Sequence, residues 1–186
     1  MKDLFLQDSS VLLNLLATDQ VEAMAASMGW RFAICTAVRD EAKKLRDPTT
    51  GEMVPIDITP LIHSGAIQVL DLVGSTEQDL FIENAATIDD GEAMSLAIAG
   101  CRQLDLAIDD KAAIKFARKR FPKLCLWTTP EIIKQWAVKV SLPADALRDV
   151  IIKIESRSRY FPPREHGLAP WWQGAKAEKN KTNRDS

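Results

Sequence analysis

Asp8, Glu41, Glu92 and the pair Asp109–Asp110 stand where a carboxylate is costly without a partner. Asp8 directly follows Leu4-Phe5-Leu6-Gln7, which reads as a short buried strand. Open parallel sheets bind ligands outside the carboxyl ends of their strands, so Asp8 is placed to hold a cation. Taken by itself, Asp8 reads first as the N-cap of the helix that follows. Glu41 falls in an expected helix, Ala37 to Leu45, on or beside the stripe Val38, Ala42 and Leu45. On the buried face an unpaired carboxylate costs several kcal/mol, about 3 or more, and needs a base or a metal. At the helix edge it would pair with Lys43 or Lys44. Glu92 lies three residues after Asp89, in the arrangement of a capping box. It opens a helix that is apolar almost all round, so it is also an acid at the head of a buried helix. Asp109 and Asp110 follow a fourth strand and repel each other. If that strand lies beside the first, Asp8 and Asp110 face each other. Carboxylate oxygens without His or Cys suit Mg2+ or Mn2+, and clustered acids call for a cation.

Other chemistries lack their residues. There is no G-x-G-x-x-G, no phosphate loop and no G-x-S-x-G. His63 and His166 are isolated, and Cys35, Cys101 and Cys125 lie far apart. Structural zinc and cysteine nucleophile chemistry are therefore disfavoured.

Five strands are expected to position the acids: Leu4 to Gln7, Arg31 to Cys35, Ile67 to Leu72, Leu104 to Ile108 and Leu124 to Thr128. Helices fall between them, at Val11 to Leu16, Asp19 to Met28, Ala37 to Leu45, Glu77 to Ala86, Gly91 to about Gln103 and Lys111 to Arg120. Asp47 to Pro60 reads as irregular. Further helices are expected at Pro130 to Val138 and Ala144 to about Ser156. The alternation implies an α/β fold, a three-layer parallel sheet of about five strands with helices on both faces, plus a C-terminal helical appendage. Residues 1–140 form one domain in this reading, and 141–186 a helical, basic, partly disordered extension.

The chain has 186 residues, 46% hydrophobic and 27% charged, enough for a core without disulfide or metal staples. No apolar run approaches the ~18 residues of a membrane span, and Met1 to Gln7 lacks the build of a signal peptide. Three cysteines in apolar context read as buried thiols in a reducing cytoplasm. The net charge of −2 hides an asymmetry: from Lys153 onward eight Lys/Arg face four Asp/Glu, so +4 for the tail and −6 for residues 1–152. Tyr160, Phe161, Trp171 and Trp172 mix with these cations. They would stack on unpaired bases, dock on a protein, or pack back on the body.

Four segments taken in order resemble the PIN domain, a family of metal-dependent nucleases: Leu6-Gln7-Asp8-Ser9-Ser10-Val11-Leu12, Val38-Arg39-Asp40-Glu41, Asp90-Gly91-Glu92-Ala93 and Ile108-Asp109-Asp110-Lys111-Ala112. The Gly-Glu-Ala piece is most similar to the subgroup with that third motif. Ile108 departs, since many members carry threonine or serine there. The resemblance covers residues 1 to about 138. It implies a Mg2+- or Mn2+-dependent endoribonuclease cutting single-stranded RNA, similar to VapC-like toxins of toxin–antitoxin pairs. The alternative is a catalytically silent module that binds protein or RNA. By the same resemblance Asp8, Glu92 and Asp110 would hold metal, and Glu41 would join them or position water. Ser10 and Asp109 would steady these groups from behind. Lys111, Lys115 and Arg118 are candidates for the RNA backbone. The expected partners are RNA and a small antitoxin, with a homodimer left open and no membrane.

Overall fold

The computed structural model describes residues 4–177. Its elements in chain order are β1 (Leu4–Gln7), α1 (Ser9–Ala17), α2 (Val21–Met28), β2 (Arg31–Cys35), α3 (Thr36–Glu41), β3 (Lys44–Arg46), β4 (Met53–Pro55), α4 (Thr59–His63) and β5 (Ile67–Leu70). They continue as α5 (Gly74–Ala85), α6 (Asp90–Arg102), β6 (Asp105–Ala107), α7 (Lys111–Arg120), β7 (Leu126–Trp127), α8 (Thr129–Lys139), α9 (Ala144–Arg157) and α10 (Ala169–Ala177).

Five parallel strands form one sheet in the order β5-β2-β1-β6-β7. The chain winds outward from β1 to β5, then returns to lay β6 on the other side of β1. The switch point therefore falls between β1 and β6, where the backbone N–H of Asp8 donates to the Ala107 carbonyl at 3.0 Å. Right-handed crossovers put α1 and α2 on one face and α5, α6 and α7 on the other. α8 and α9 return to the first face and pack on α1 and α2. The strands are buried on both sides, with Leu6, Phe32, Ile34 and Leu106 fully shielded, which is why they read as continuous apolar runs.

Two local expectations are corrected. The helix from Ala37 ends at Glu41, because Ala42 leaves the helical region at φ −78°, ψ 74°. Leu45 then belongs to an antiparallel hairpin, β3 against β4. The turn between them explains this. Asp47 Oδ1 accepts from the N–H groups of Thr49 and Thr50, both at 2.8 Å, and Gly51 takes φ +76°, so the turn closes a hairpin within the stretch expected to be irregular. The second correction concerns the thiols. Cys35 is buried, but Cys101 and Cys125 are exposed, one in the last turn of α6 beyond its buried run Ala93–Ala99, the other just before the edge strand β7.

The basic C-terminal segment is largely folded onto the body. Val150, Ile151 and Ile154 of α9 join the same core as β1 and α1. Trp172 of α10 is completely buried, donates its Nε1–H to Glu155 Oε1 at 3.0 Å, and meets Tyr160 edge-on at 6.1 Å. Glu155 also holds Lys176 at 2.8 Å. Lys153 and Arg157 both reach Asp19. Packing back is thus the outcome for Tyr160 and Trp172, while Phe161 stays exposed. The disorder expected at the end of the chain falls on residues 178–186, outside the described residues.

Because Trp172 has no exposed surface and fills a site between α9 and the Tyr160 ring, Trp172→Ala should cost about 3 kcal/mol or more. Urea unfolding checks this. A midpoint unchanged from the parent would show that α10 contributes nothing to the core.

Candidate active site

The starts of α1, α6 and α7 lie at or beside the carboxyl edge of β1 and β6 and carry Asp8, Glu92 and Asp110 as cap or first-turn residues, while α8 starts on Thr129, a donor to Asp109. Asp8 is the N-cap of α1: its Oδ1 accepts from the Val11 N–H at 2.7 Å and its Oδ2 from the Ser10 hydroxyl at 2.9 Å. It is only 2% exposed. The cap and the strand-end position are therefore one and the same. Burial, followed by the negative charges of Asp109 and Glu92, pushes the Asp8 carboxyl up to about 8, against the pull of its two hydrogen bonds.

Asp109 lies behind it, held by four donors. Asn14 Nδ2 and Thr129 Oγ1 donate to Oδ2 at 2.9 and 2.6 Å, while the Thr129 N–H and the Tyr160 hydroxyl donate to Oδ1 at 2.9 and 3.1 Å. Burial still raises its carboxyl above the ordinary range. Burial and then the Asp109 charge drive the Tyr160 phenol far upward, so Tyr160 is a fixed donor. Where Ile108 removes the side-chain hydroxyl before the acid pair, Thr129 and Tyr160 bring hydroxyls from the other side.

Asp110 is exposed and caps α7, its Oδ1 accepting from the Ala113 N–H at 2.8 Å. Glu92 is half-buried in the first turn of α6 and accepts from the Asp89 backbone N–H. This is half of the capping box; the Asp89 side chain makes no cap bond in return. Burial, then the charges of Asp110, Asp89 and Glu41, push Glu92 up to about 7. Glu92 also adds to the field on Asp8.

Glu41 is the exposed last residue of α3. The buried-face reading of it is corrected, because the stripe it was placed on ends with the helix. It reaches the cluster by another route. Its carboxylate lies flat on Gly91: a Cβ there would stand 2.5 Å from Oε2 and 2.8 Å from Oε1. Any side chain at position 91 would displace Glu41 from the head of α6.

All donors in the cluster are anionic oxygens, and their mutual charging is what a divalent cation would relieve. In donor chemistry the residues fit Mg2+ or Mn2+. As the side chains lie, no three Asp, Glu, His or Cys among the described residues enclose an ion. Lys111, Lys115 and Arg118 sit exposed on α7, with Lys111 paired to Glu165. Asn14 and Thr129 escaped the sequence reading, and Tyr160 reads there as an aromatic of the tail rather than as a donor to Asp109. Asn14 carried a signal, an amide inside the apolar run Val11 to Leu16 of α1 that is 2% exposed.

A family model described as a PIN domain matches residues 4–161. Among solved structures, the chain is similar to a PilT N-terminus domain protein from the hyperthermophilic archaeon Sulfolobus solfataricus P2, at 16% identity, covering 72% of this chain and 92% of that one, with a TM-score of 0.44. No curated protein matches the chain. Among the described residues no helix is long and apolar enough to cross a membrane.

The raised Asp8 and Glu92 carboxyls carry a sign for stability. A carboxyl whose folded value lies above its ordinary one favours the fold while protonated. Its contribution is complete below the ordinary value of 3.8 for Asp8 and is lost as pH rises toward about 8. In chelator, the melting temperature should therefore fall between about pH 5 and about pH 8.5. Asp8→Asn, which keeps the cap acceptor, should flatten that fall and melt higher than the parent at the alkaline end, by about 1 kcal/mol or more. Thermal melts across the pH series read this, and parallel curves for the two proteins would sink it.

Proposed function

The chain belongs to the PIN domain family, and from that premise we propose that it is a Mg2+- or Mn2+-dependent endonuclease cutting single-stranded RNA. The observation that supports the reading is the placement of Asp8, Glu92 and Asp110 at the starts of α1, α6 and α7, beside the paired ends of β1 and β6 at the sheet's switch point. Asp8, Glu92 and Asp110 would hold the ion. When bound, it supplies charge neutralisation at the phosphate and a more acidic water.

The chain's own groups then divide the remaining tasks. Glu41, exposed and braced only by the open face of Gly91, is free to accept a proton at Oε1 or Oε2 from the attacking water. Ser10 fixes the Asp8 carboxylate by donating to Oδ2, leaving its rotamer no freedom. Asp109, saturated by four donors, holds α1, α8 and Tyr160 in register behind the acids. A polyanion must also be drawn to an acidic edge, and the cations of α7 are the nearest supply.

A second reading, a catalytically silent module of the same family, has one observation in its favour: among the described residues no three carboxylates enclose an ion as they lie. Metal titration by calorimetry separates the two. The nuclease reading requires binding of Mn2+ that Asp8→Asn weakens.

For activity, labelled single-stranded RNA should be cut in Mn2+ or Mg2+ and left intact in chelator. Asp8→Asn and Glu92→Gln should each lose about 10²-fold or more in rate while remaining folded. Gly91→Ala is the sharper probe. Alanine is the better helix former by about 0.5–1 kcal/mol, so melting should hold or rise, yet the displaced Glu41 should lower cleavage about tenfold or more. Full activity in Gly91→Ala would remove Glu41 from the site, and wild-type rates in Asp8→Asn would assign the cleavage elsewhere.

A further inference from the structure

Residues 160–168 run past the end of the sheet and close a cleft against α7 and the start of α8. The cleft holds about 780 Å3, within the roughly 300–1,000 Å3 of sites that take small ligands. Asp109 is part of its lining, so it abuts the acid cluster. Its walls differ in character. The α7 wall presents Lys111, Lys115 and Arg118 on one helix face, at i, i+4 and i+7. Lys111 is engaged by Glu165, whereas Lys115 and Arg118 form no ion pair with a described residue. Ile114, Leu126 and Pro163 add apolar surface between the walls.

The opposite wall is wired in place. The Leu168 N–H donates to His166 Nδ1 at 3.1 Å, which leaves Nε2 of the neutral ring to donate to Thr128 Oγ1 at 3.0 Å. Thr128 in turn donates to Glu131 at 2.7 Å. With Tyr160 anchored on Asp109, both ends of the segment are pinned to the body.

We propose that this cleft binds an unpaired nucleotide of the RNA strand, adjacent to the phosphate presented to the acid cluster. Lys115 and Arg118 take the phosphates, and the base lies against Ile114, Leu126 and Pro163. The inference rests on reading the acid cluster as a nuclease site. The chemistry selects the ligand: cations along one wall suit a phosphate backbone, apolar surface beside them suits a base face, and the walled cleft has no room for a duplex. Residues 160–168 thereby become the segment that senses the strand.

The test is fluorescence anisotropy in chelator, with a labelled RNA of about eight nucleotides and mixed sequence, single-stranded or annealed to its complement. The single strand should bind and the duplex should bind much more weakly. Lys115→Ala/Arg118→Ala should weaken single-strand binding about tenfold or more and lower the slope of log affinity against log salt by about 1.4, two phosphate contacts' worth. Gly167→Leu leaves the charge unchanged, and a Cβ at 167 meets nothing within 4 Å. It should keep the melting temperature and still weaken binding by obstructing the cleft. Parent-like binding in both variants, equal affinity for the duplex, or no binding by the wild type would each overturn the proposal. The two readings fail separately. Cleft-dependent binding with no cleavage in Mn2+ sinks the nuclease alone, and normal cleavage with parent-like binding in both variants sinks the cleft alone.

Discussion

Like charges crowded at one edge of a sheet are the constraint around which the rest of this chain is arranged. Asp8, Glu92, Asp109 and Asp110 are brought together by the pairing of β1 with β6 and by the start of α6. Left in an apolar interior they would drive the edge apart. The fold counters this with what helix starts offer, unpaired amides and the positive end of the macrodipole. α1 begins on Asp8, α6 at Asp90 just before Glu92, and α7 on Asp110. Asp8, Glu92 and Asp110 therefore each belong both to a helix start and to the cluster. These amides soften the repulsion without abolishing it, and burial together with the neighbouring charges still pushes the Asp8 and Glu92 carboxyls upward.

Asp109 solves a different problem from its neighbours. It accepts four hydrogen bonds from groups on α1, on α8 and at residue 160. A charged acceptor with that many donors ties three separate parts of the chain to one point. This is why the C-terminal segment cannot be regarded as a loose attachment. Tyr160 carries it to the acid pair, and Trp172 anchors it again below, between Glu155 and the Tyr160 ring.

The strands and the acids at their ends were legible in the sequence because short apolar runs followed at once by a carboxylate have few other uses. The first two strands, Leu4–Gln7 and Arg31–Cys35, have the expected bounds, and α7 begins and ends where its charges place it. What the sequence concealed were contacts between distant positions. Periodicity carried the helix of Glu41 through Leu45, because Val38, Ala42 and Leu45 satisfy a helical stripe. The turn at Asp47–Gly51 competes more strongly and pulls Lys44–Arg46 into a hairpin. Glu41 keeps its place near Glu92 through the bare α-carbon of Gly91, a contact 50 residues apart in the chain that no local pattern announces. The hydroxyls on Asp109 come from positions 20 and 51 residues further on, where neither residue type is unusual in itself.

The charge asymmetry of the sequence also changes meaning once the fold is in view. A tail of net positive charge beside an acidic body suggests a polyanion held by the tail. Yet Lys153 and Arg157 are spent on Asp19, and Lys176 on Glu155. These pairs fasten α9 and α10 to the body, and cations so engaged offer little to a phosphate. Among the described residues α7 supplies further cations, Lys115, Arg118 and Lys119, while its Arg120 is held by Glu83. Its start is acidic, at Asp110, and its end basic. One short helix therefore spans from the cluster that repels a phosphate backbone to the cations that attract it, about 15 Å away at 1.5 Å per residue. For the RNA substrate proposed above, a strand attracted at the basic end would be led along the helix toward the acids, and that gradient is an electrostatic feature separate from the tail's net charge.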